Sequence, residues 1–248
     1  MKKIKFWLPI IGVALLFNSC LLQAIYPFYT SNLIHFEPDL VGKWTDDACA
    51  SWEIMTLKEY GGFDIWPSPY ELNKLKKAYP NFTEEAVINL YYKQNHFDKA
   101  YIVKFTYTDV KYSPEFEETD TIEVFSLAMP FKINNHFFLD FRIFRDETQN
   151  GLHITELFYN HATPNHSLAK VDVISKDQFN IRSLTDEDLK TLVAEHKIKI
   201  KHEKIDLEDK ILLTASSEEL VKFIEKYMKS EYGKNWAMDN NYSRLDRN

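Results

Sequence analysis

The eight histidines are the residues of this chain best suited to binding a metal ion, because imidazole nitrogen is a common metal ligand. His153 and His161 would share one face of a strand, but eight extended residues separate them by roughly 26 Å, too far to share an ion. His161 and His166 flank the four residues 162–165 and can face each other across a hairpin. No third ligand accompanies this pair, so polar pairing across the hairpin is the stronger interpretation and no metal centre is predicted.

No motif assembles groups for covalent or acid–base catalysis. The chain has no Gly-x-Ser-x-Gly turn for a nucleophilic serine and no glycine-rich phosphate loop. The paired carboxylates Glu117-Glu118 and Glu218-Glu219 are sequence neighbours in polar stretches, where solvent or a helix N-terminus accounts for them. An enzyme is therefore the weakest of three function classes, and we predict no catalytic residue and no cofactor.

The first 20 residues predict a lipid anchor. Residues 1–5 are basic and Phe6 to Phe17 is apolar, which is the pattern of a secretory signal peptide. Asn18-Ser19-Cys20 then resembles the lipobox at which bacterial prolipoproteins are acylated on the cysteine thiol and cleaved, although Phe17 and Asn18 depart from its usual residues. The resemblance implies a signal peptide over residues 1–19 and a mature protein held on membrane lipid by fatty acyl chains on Cys20.

An uncleaved membrane anchor is the alternative for this region. Phe6 to Ile25 would reach the roughly 20 residues that span a bilayer, but Asn18, Ser19 and Gln23 make its second half polar. On the lipoprotein interpretation we expect the protein in a bacterial cell envelope, on the outer membrane and facing the periplasm, because no acidic cluster follows the cysteine. Residues 20–36 form a lipidated N-terminal segment whose apolar and aromatic composition predicts packing on the domain.

Composition and charge limit the partners of the chain. Its 248 residues are 45% hydrophobic, enough for one well-packed core. The formal net charge of -7 becomes -10 without residues 1–19, which contain three lysines and no acidic residue. That sign excludes nucleic acid as a partner and argues against electrostatic docking on anionic lipid.

Short stretches with strand patterning fill most of the chain after Leu40. Ala100 to Thr108 alternates apolar and polar side chains, and Phe131 to Ile143 predicts a hairpin folded at Asn134-Asn135, since asparagine tolerates positive φ. The other predicted strands are Ser51 to Leu57, Thr121 to Leu127, Leu152 to Tyr159, Ser167 to Ile174, Gln178 to Arg182 and Ile211 to Thr214. Many short strands with few helices predict a sandwich or a barrel.

Helical patterns occupy three places in the chain. Residues 60–97 form an insertion whose middle is helical, with Thr83 as an N-cap, and a lid is one interpretation of it. A second helix is predicted over Thr185 to His196. Residues 216–232 form a terminal helix with an apolar stripe that must pack on the outside of the sheet, ended by Gly233 as a C-cap. We expect residues 234–248 to be a polar tail that frays.

Four stretches together resemble a family of uncharacterised bacterial lipoproteins with a lipocalin-like barrel. They are Phe36 to Ile54, which contains Leu40-x-Gly42-x-Trp44 and Trp52, and Ile133 to Phe141, Pro164 to Val171 and Ile211 to Tyr227. The resemblance implies that residues 37–233 are mainly β and form a lipocalin-like antiparallel β-barrel. It also implies structural roles in barrel closure for Gly42, Trp44 and Trp52, but it carries no established activity.

Two function classes remain ahead of catalysis. The first is a membrane-anchored binding module for a small apolar or amphipathic ligand, because small β-barrels hold such ligands in their interior. The alternative is a non-enzymatic scaffold or assembly protein of the cell envelope with a packed barrel. Its contact surfaces would be the aromatic segment Ile25 to Phe36 and the insertion. Whether the barrel interior is hollow discriminates between the two.

Overall fold

Eleven strands form the sheet of the computed structural model, which describes residues 22–46, 51–60, 69–112, 117–148, 166–195, 197–205, 210–234 and 240–245. The strands are β1 (Gln23–Ala24), β2 (Gly42–Asp46), β3 (Ser51–Thr56), β4 (Tyr101–Tyr112), β5 (Glu117–Ile133), β6 (His136–Thr148), β7 (His166–Ser175), β8 (Gln178–Ser183), β9 (His202–Ile205), β10 (Lys210–Leu213) and β11 (Asn240–Arg244). The helices are α1 (Leu57–Tyr60), α2 (Pro69–Ala78), α3 (Glu84–Gln94), α4 (Asp186–Ala194), α5 (Ser217–Lys229) and α6 (Glu231–Lys234).

Eight of these strands close into an antiparallel barrel. Strands β2 to β8 pair in chain order, and β11 lies between β8 and β2. The prediction of a mainly β chain with an antiparallel barrel is therefore confirmed, and the closed form is consistent with a lipocalin-like domain. The predicted turn is also confirmed, because Asn134 joins β5 to β6 with φ of 54°.

The prediction of a fraying tail over residues 234–248 is wrong at Asn240–Arg244, which form β11. Tyr242 is only 3% exposed and stacks on Phe179, with 5.1 Å between ring centroids. Residues with weak strand preference adopt the strand here because two neighbouring strands supply their backbone hydrogen bonds. The barrel therefore extends beyond the predicted boundary at residue 233.

A second apolar core lies outside the barrel, beneath α5. The apolar stripe of α5 is buried against the outward-facing side chains of β5 and β6. The stripe consists of Leu220, Phe223, Ile224 and Tyr227. Ser216 caps the helix: its hydroxyl accepts a hydrogen bond from the Glu219 N–H, and the Glu219 carboxylate accepts one from the Ser216 N–H. The external position of the C-terminal helix is confirmed.

The predicted C-cap at Gly233 is wrong. Helix α5 ends at Lys229 with Ser230 as its C-cap, and Gly233 is buried within the short helix α6. A Cβ at this position would overlap the carbonyl oxygen of Tyr227 and lie 2.8 Å from the Cα of Met228. The glycine is required for the close approach of α6 to α5 rather than for ending a helix.

The helical insertion packs on the outer wall of the barrel. Thr83 caps α3 by accepting a hydrogen bond from the Ala86 N–H at 3.2 Å, as predicted. Tyr91 and Phe97 then contact the outward-facing side chains of β4 and β5, which are Ile102, Phe125, Leu127 and Met129. The lid interpretation is wrong for α3, because its apolar face is satisfied by the wall.

The N-terminal segment packs on the same outer wall, as predicted. Leu22, Ala24 and Phe28 are completely buried in the second apolar core beneath α5, which we call the outer core. Strand β1 pairs antiparallel with β7 and parallel with β10, so a small outer sheet branches from the barrel there.

Several predictions fall outside the described residues. These are the signal peptide over residues 1–19, the acylation of Cys20, the strand Leu152 to Tyr159 and the histidines at 153 and 161.

Candidate functional site

Trp44 seals one end of the barrel interior. Its side chain is 1% exposed, and its indole N–H donates a hydrogen bond to the Leu40 carbonyl oxygen at 2.9 Å. The ring of Phe179 meets it edge-on at 4.6 Å between centroids. The segment before β2 contains a short 3-10 helix, Pro38–Leu40, whose Leu40 is buried next to Trp44. We call this end of the barrel the closed end.

Arg244 holds the closed end together from outside Trp44. Its guanidinium lies 4.9 Å from the Trp44 ring and donates hydrogen bonds to three carbonyl oxygens, those of Asp39, Lys176 and Val41. These carbonyls belong to the segment before β2 and to the turn between β7 and β8. Sequence reasoning missed this residue, because it lies in a stretch that lacks apolar alternation.

Gly42 and Trp52 flank Trp44 on the sheet. Gly42 has φ of 144°, a backbone conformation that favours glycine, and its register partner on β3 is Ile54. Trp52 is the register partner of Trp44 on β3 and of Phe105 on β4. All three residues of the predicted closure motif therefore lie on neighbouring strands of one wall.

A series of ring contacts runs from Trp44 up the barrel interior. Phe179 stacks on Tyr242, and Tyr242 lies 4.9 Å from Trp52. Trp52 is then 6.0 Å from both Phe105 and Phe141. We call Trp52, Phe105 and Phe141 the upper aromatic layer.

Solvent exposure changes along this series. Trp44, Phe179 and Tyr242 are buried, whereas the three rings of the upper aromatic layer are only half-buried although they share the inward face of the barrel. The rings at the closed end are thus buried, and part of the aromatic surface toward the opposite end stays accessible to solvent.

Tyr242 adds a polar group next to the upper aromatic layer. Burial raises the pKa of its hydroxyl above the ordinary value, and the nearby Asp46 carboxylate raises the pKa further. Asp46 is also the register partner of Tyr242 on β2. A protonated phenol and a carboxylate therefore lie beside an apolar surface.

His166 lies on the outer wall, where its described partner is Asp140. The imidazole Nδ1 is 2.8 Å from Asp140 Oδ1, and Asp140 Oδ2 accepts a hydrogen bond from the Phe28 N–H at 2.9 Å. Asp140 is 2% exposed. The carboxylate fastens the N-terminal segment to β6, a role that sequence reasoning missed because Phe28 and Asp140 are 112 positions apart in the chain.

Within the described ranges, no three side chains of histidine, cysteine, aspartate or glutamate are close enough together to bind one metal ion. In that same part of the chain, every helix falls short of the length and apolarity needed to cross a membrane. Protein-family models, curated proteins and solved structures give no match to this chain. The lipocalin-like description therefore depends on the barrel itself.

Proposed function

We propose that this protein is a membrane-anchored envelope lipoprotein whose barrel binds one small apolar or amphipathic ligand at the end opposite Trp44. The observation that carries the proposal is the half-buried upper aromatic layer next to the buried rings of the closed end. Aromatic rings that face the barrel interior are still in contact with water. An apolar ligand that covers them makes the binding free energy more favourable by about 25 cal/mol for each Å² of apolar surface removed from water.

The polar groups beside this layer favour a particular ligand chemistry. The hydroxyl of Tyr242 keeps its proton, because burial and Asp46 both raise its pKa, so it can donate a hydrogen bond to a ligand oxygen. The carboxylate of Asp46 repels an anionic head. An aliphatic ligand with a neutral polar end, such as a fatty alcohol or an ester, therefore fits better than a free fatty acid.

Tryptophan fluorescence tests the ligand site directly. A brominated fatty alcohol titrated into the purified full-length protein should give saturable quenching, and Trp52→Phe should remove a large part of it. Phe105→Ala should weaken binding about tenfold, because a large ring leaves the contact surface. The matched control is Phe82→Ala, which removes an aromatic ring that is 51% exposed on the insertion. Quenching that is not saturable, or that is unchanged in Trp52→Phe, would overturn the ligand site.

The anchor is the second part of the proposal, with the protein placed on the outer membrane and facing the periplasm. The support is the basic, apolar and Asn18-Ser19-Cys20 sequence of the N-terminus. Intact-mass measurement should find the mature chain beginning at Cys20 with the added mass of fatty acyl chains. Cys20→Ala should leave the chain unacylated, and an unmodified wild-type chain would contradict the anchor.

A scaffold protein is the second candidate, and one observation favours it. Tyr70 and Phe82 on the insertion are 76% and 51% exposed, and aromatic side chains are enriched at protein–protein interfaces. A photo-crosslinker placed at either position in intact envelopes should capture one defined protein. The same crosslinker at the exposed Lys43 is the control, and identical products from both faces would remove the scaffold candidate.

A further inference from the structure

The proposed lipid anchor has almost no tether. Leu22 is completely buried, and its N–H donates a hydrogen bond to the Leu184 carbonyl oxygen at 3.0 Å. Only Leu21 stands between Leu22 and Cys20, so the two Cα atoms that flank it are at most about 7–8 Å apart. An acylated Cys20 would therefore hold this side of the domain directly at the lipid headgroups.

Apolar side chains are exposed immediately after this attachment point. Ile25 and Tyr26 are 36% and 50% exposed, while Ala24 and Phe28 on either side of them are buried. The Ile25 N–H donates to the Leu213 carbonyl oxygen at 2.9 Å, which fixes the backbone at Ile25 against the end of β10. The exposed pair therefore directly follows a backbone contact with the outer sheet.

Lysines lie beside this apolar pair. Residues 197–205 contain four lysines and one glutamate. Ile198 and Ile200 pack on the outer core, which leaves the alternating Lys199 and Lys201 exposed. The Thr214 N–H donates to the Lys201 carbonyl oxygen at 3.0 Å. Because Thr214 follows Leu213, Lys201 and Ile25 flank the same point of the chain, roughly 10 Å apart at two strand spacings.

We propose that Ile25, Tyr26, Lys199 and Lys201 form a membrane-facing surface that lies on anionic lipid headgroups and fixes the orientation of the barrel. The proposal depends on the acylation of Cys20 proposed above. Tyrosine and apolar side chains suit the headgroup boundary, and lysines next to them attract anionic lipid.

Lys199 and Lys201 attract anionic headgroups locally, although the whole chain is negative and Asp206, Glu208 and Asp209 follow in the sequence. At physiological salt the Debye length is about 8 Å, so distant acidic residues are screened while Lys199 and Lys201 act on adjacent headgroups. The exposed Glu203 on β9 is the acidic side chain of this stretch and opposes the attraction in part. The net charge of the whole chain predicted no electrostatic docking on anionic lipid, because a net charge does not show where the lysines lie.

The same geometry places the anchor near the end of the barrel opposite Trp44. Leu184 follows β8, which begins at the turn that Arg244 ties to the closed end, so Leu22 lies at the far end of β8. A ligand leaving the bilayer would reach the upper aromatic layer over a short distance.

Chemical acetylation of lysines tests the surface on the full-length acylated protein. The protein is reconstituted on phosphatidylcholine vesicles with and without phosphatidylglycerol, and labelling at each lysine is read by mass spectrometry. Labelling of Lys199 and Lys201 should fall about threefold or more on the anionic vesicles. Lys74 and Lys77, exposed on α2, are the matched controls and should not change. The double variant Ile25→Asp/Tyr26→Asp should restore labelling of Lys199 and Lys201.

The same samples separate failure of the surface from failure of the anchor, because their intact mass reports the acyl chains on Cys20. An acylated protein in which Lys199 and Lys201 label as fast as Lys74 and Lys77 overturns the membrane-facing surface. A protein whose intact mass shows no acyl chain on Cys20 overturns the anchor, and the membrane-facing surface, which depends on that anchor, is overturned with it.

Discussion

The guanidinium of Arg244 lies 4.9 Å from the ring of Trp44, its register partner across the β2–β11 pair. One residue comes from the first strand of the barrel and the other from the last. Their contact covers the closed end, and the carbonyl oxygens of Asp39, Val41 and Lys176 accept the guanidinium hydrogen bonds around it.

Arg244→Ala should lower the free energy of unfolding by about 1–3 kcal/mol, because it removes a cation–π contact and charge-assisted hydrogen bonds to three backbone carbonyls. Arg244→Lys should recover only a part, since an ammonium group does not match several divergent acceptors. Urea unfolding measures both. Lys43→Ala, with a side chain 60% exposed, is the control, and an equal effect of Arg244→Ala and Lys43→Ala would contradict the role of Arg244.

Deletion of residues 235–248 should prevent barrel closure, because it removes β11 and leaves the facing edges of β2 and β8 without backbone partners. Deletion of residues 246–248 alone spares the strand and should have little effect. Limited proteolysis and circular dichroism compare the two. A protease-resistant barrel in the longer deletion would show that β11 is dispensable.

Two buried tyrosines and the partly buried Tyr29 should make the fold sensitive to alkaline pH. Burial is the first cause that raises the pKa of Tyr29, Tyr101 and Tyr242 above the ordinary value of 10.0. The folded state therefore binds their protons more tightly than the unfolded state, so the free energy of unfolding holds below pH 10 and falls as pH rises above it.

Urea unfolding at a series of pH values, with phenolate absorbance, checks this dependence. Tyr101→Phe should reduce the loss above pH 10, whereas Tyr70→Phe, at a position 76% exposed, should leave the profile as in the wild type. A profile that is flat to pH 11 in the wild type would contradict the prediction.

Gly233→Ala should destabilise the packing of α6 on α5 by about 1–3 kcal/mol, because the added methyl group meets backbone atoms of Tyr227 and Met228 that cannot move aside. Lys234→Ala, at the next residue of the same helix, is the control and should change stability by less than about 0.5 kcal/mol. Thermal unfolding measures both, and equal melting temperatures would rule out the overlap.

Sequence patterns correctly predicted the structural elements that are determined by residues close together in the sequence. The asparagine turn, the Thr83 cap and the apolar stripe of α5 each depend on residues within a few positions of one another. The lipocalin-like resemblance supplied the barrel, and Gly42 and Trp44 lie on its first strand.

The remaining features depend on partners far away in the sequence. Asn240–Arg244 has one apolar side chain, Tyr242, so its strand identity comes from β2 and β8 rather than from its own pattern. Asp140 and His166 each belong to an ordinary strand sequence, and only the register of β6 on β7 brings them together. The upper aromatic layer likewise combines three strands.

The position of β11 sets the order of events during biosynthesis. Among the described strands, β2 pairs only with β3 and with β11, so one of its edges waits until residues 240–244 have left the ribosome. Nearly 200 residues separate β2 from β11 in the sequence, so we expect their pairing to be a late and slow step of folding. A chain of this topology therefore cannot complete its barrel until β11 has been synthesised.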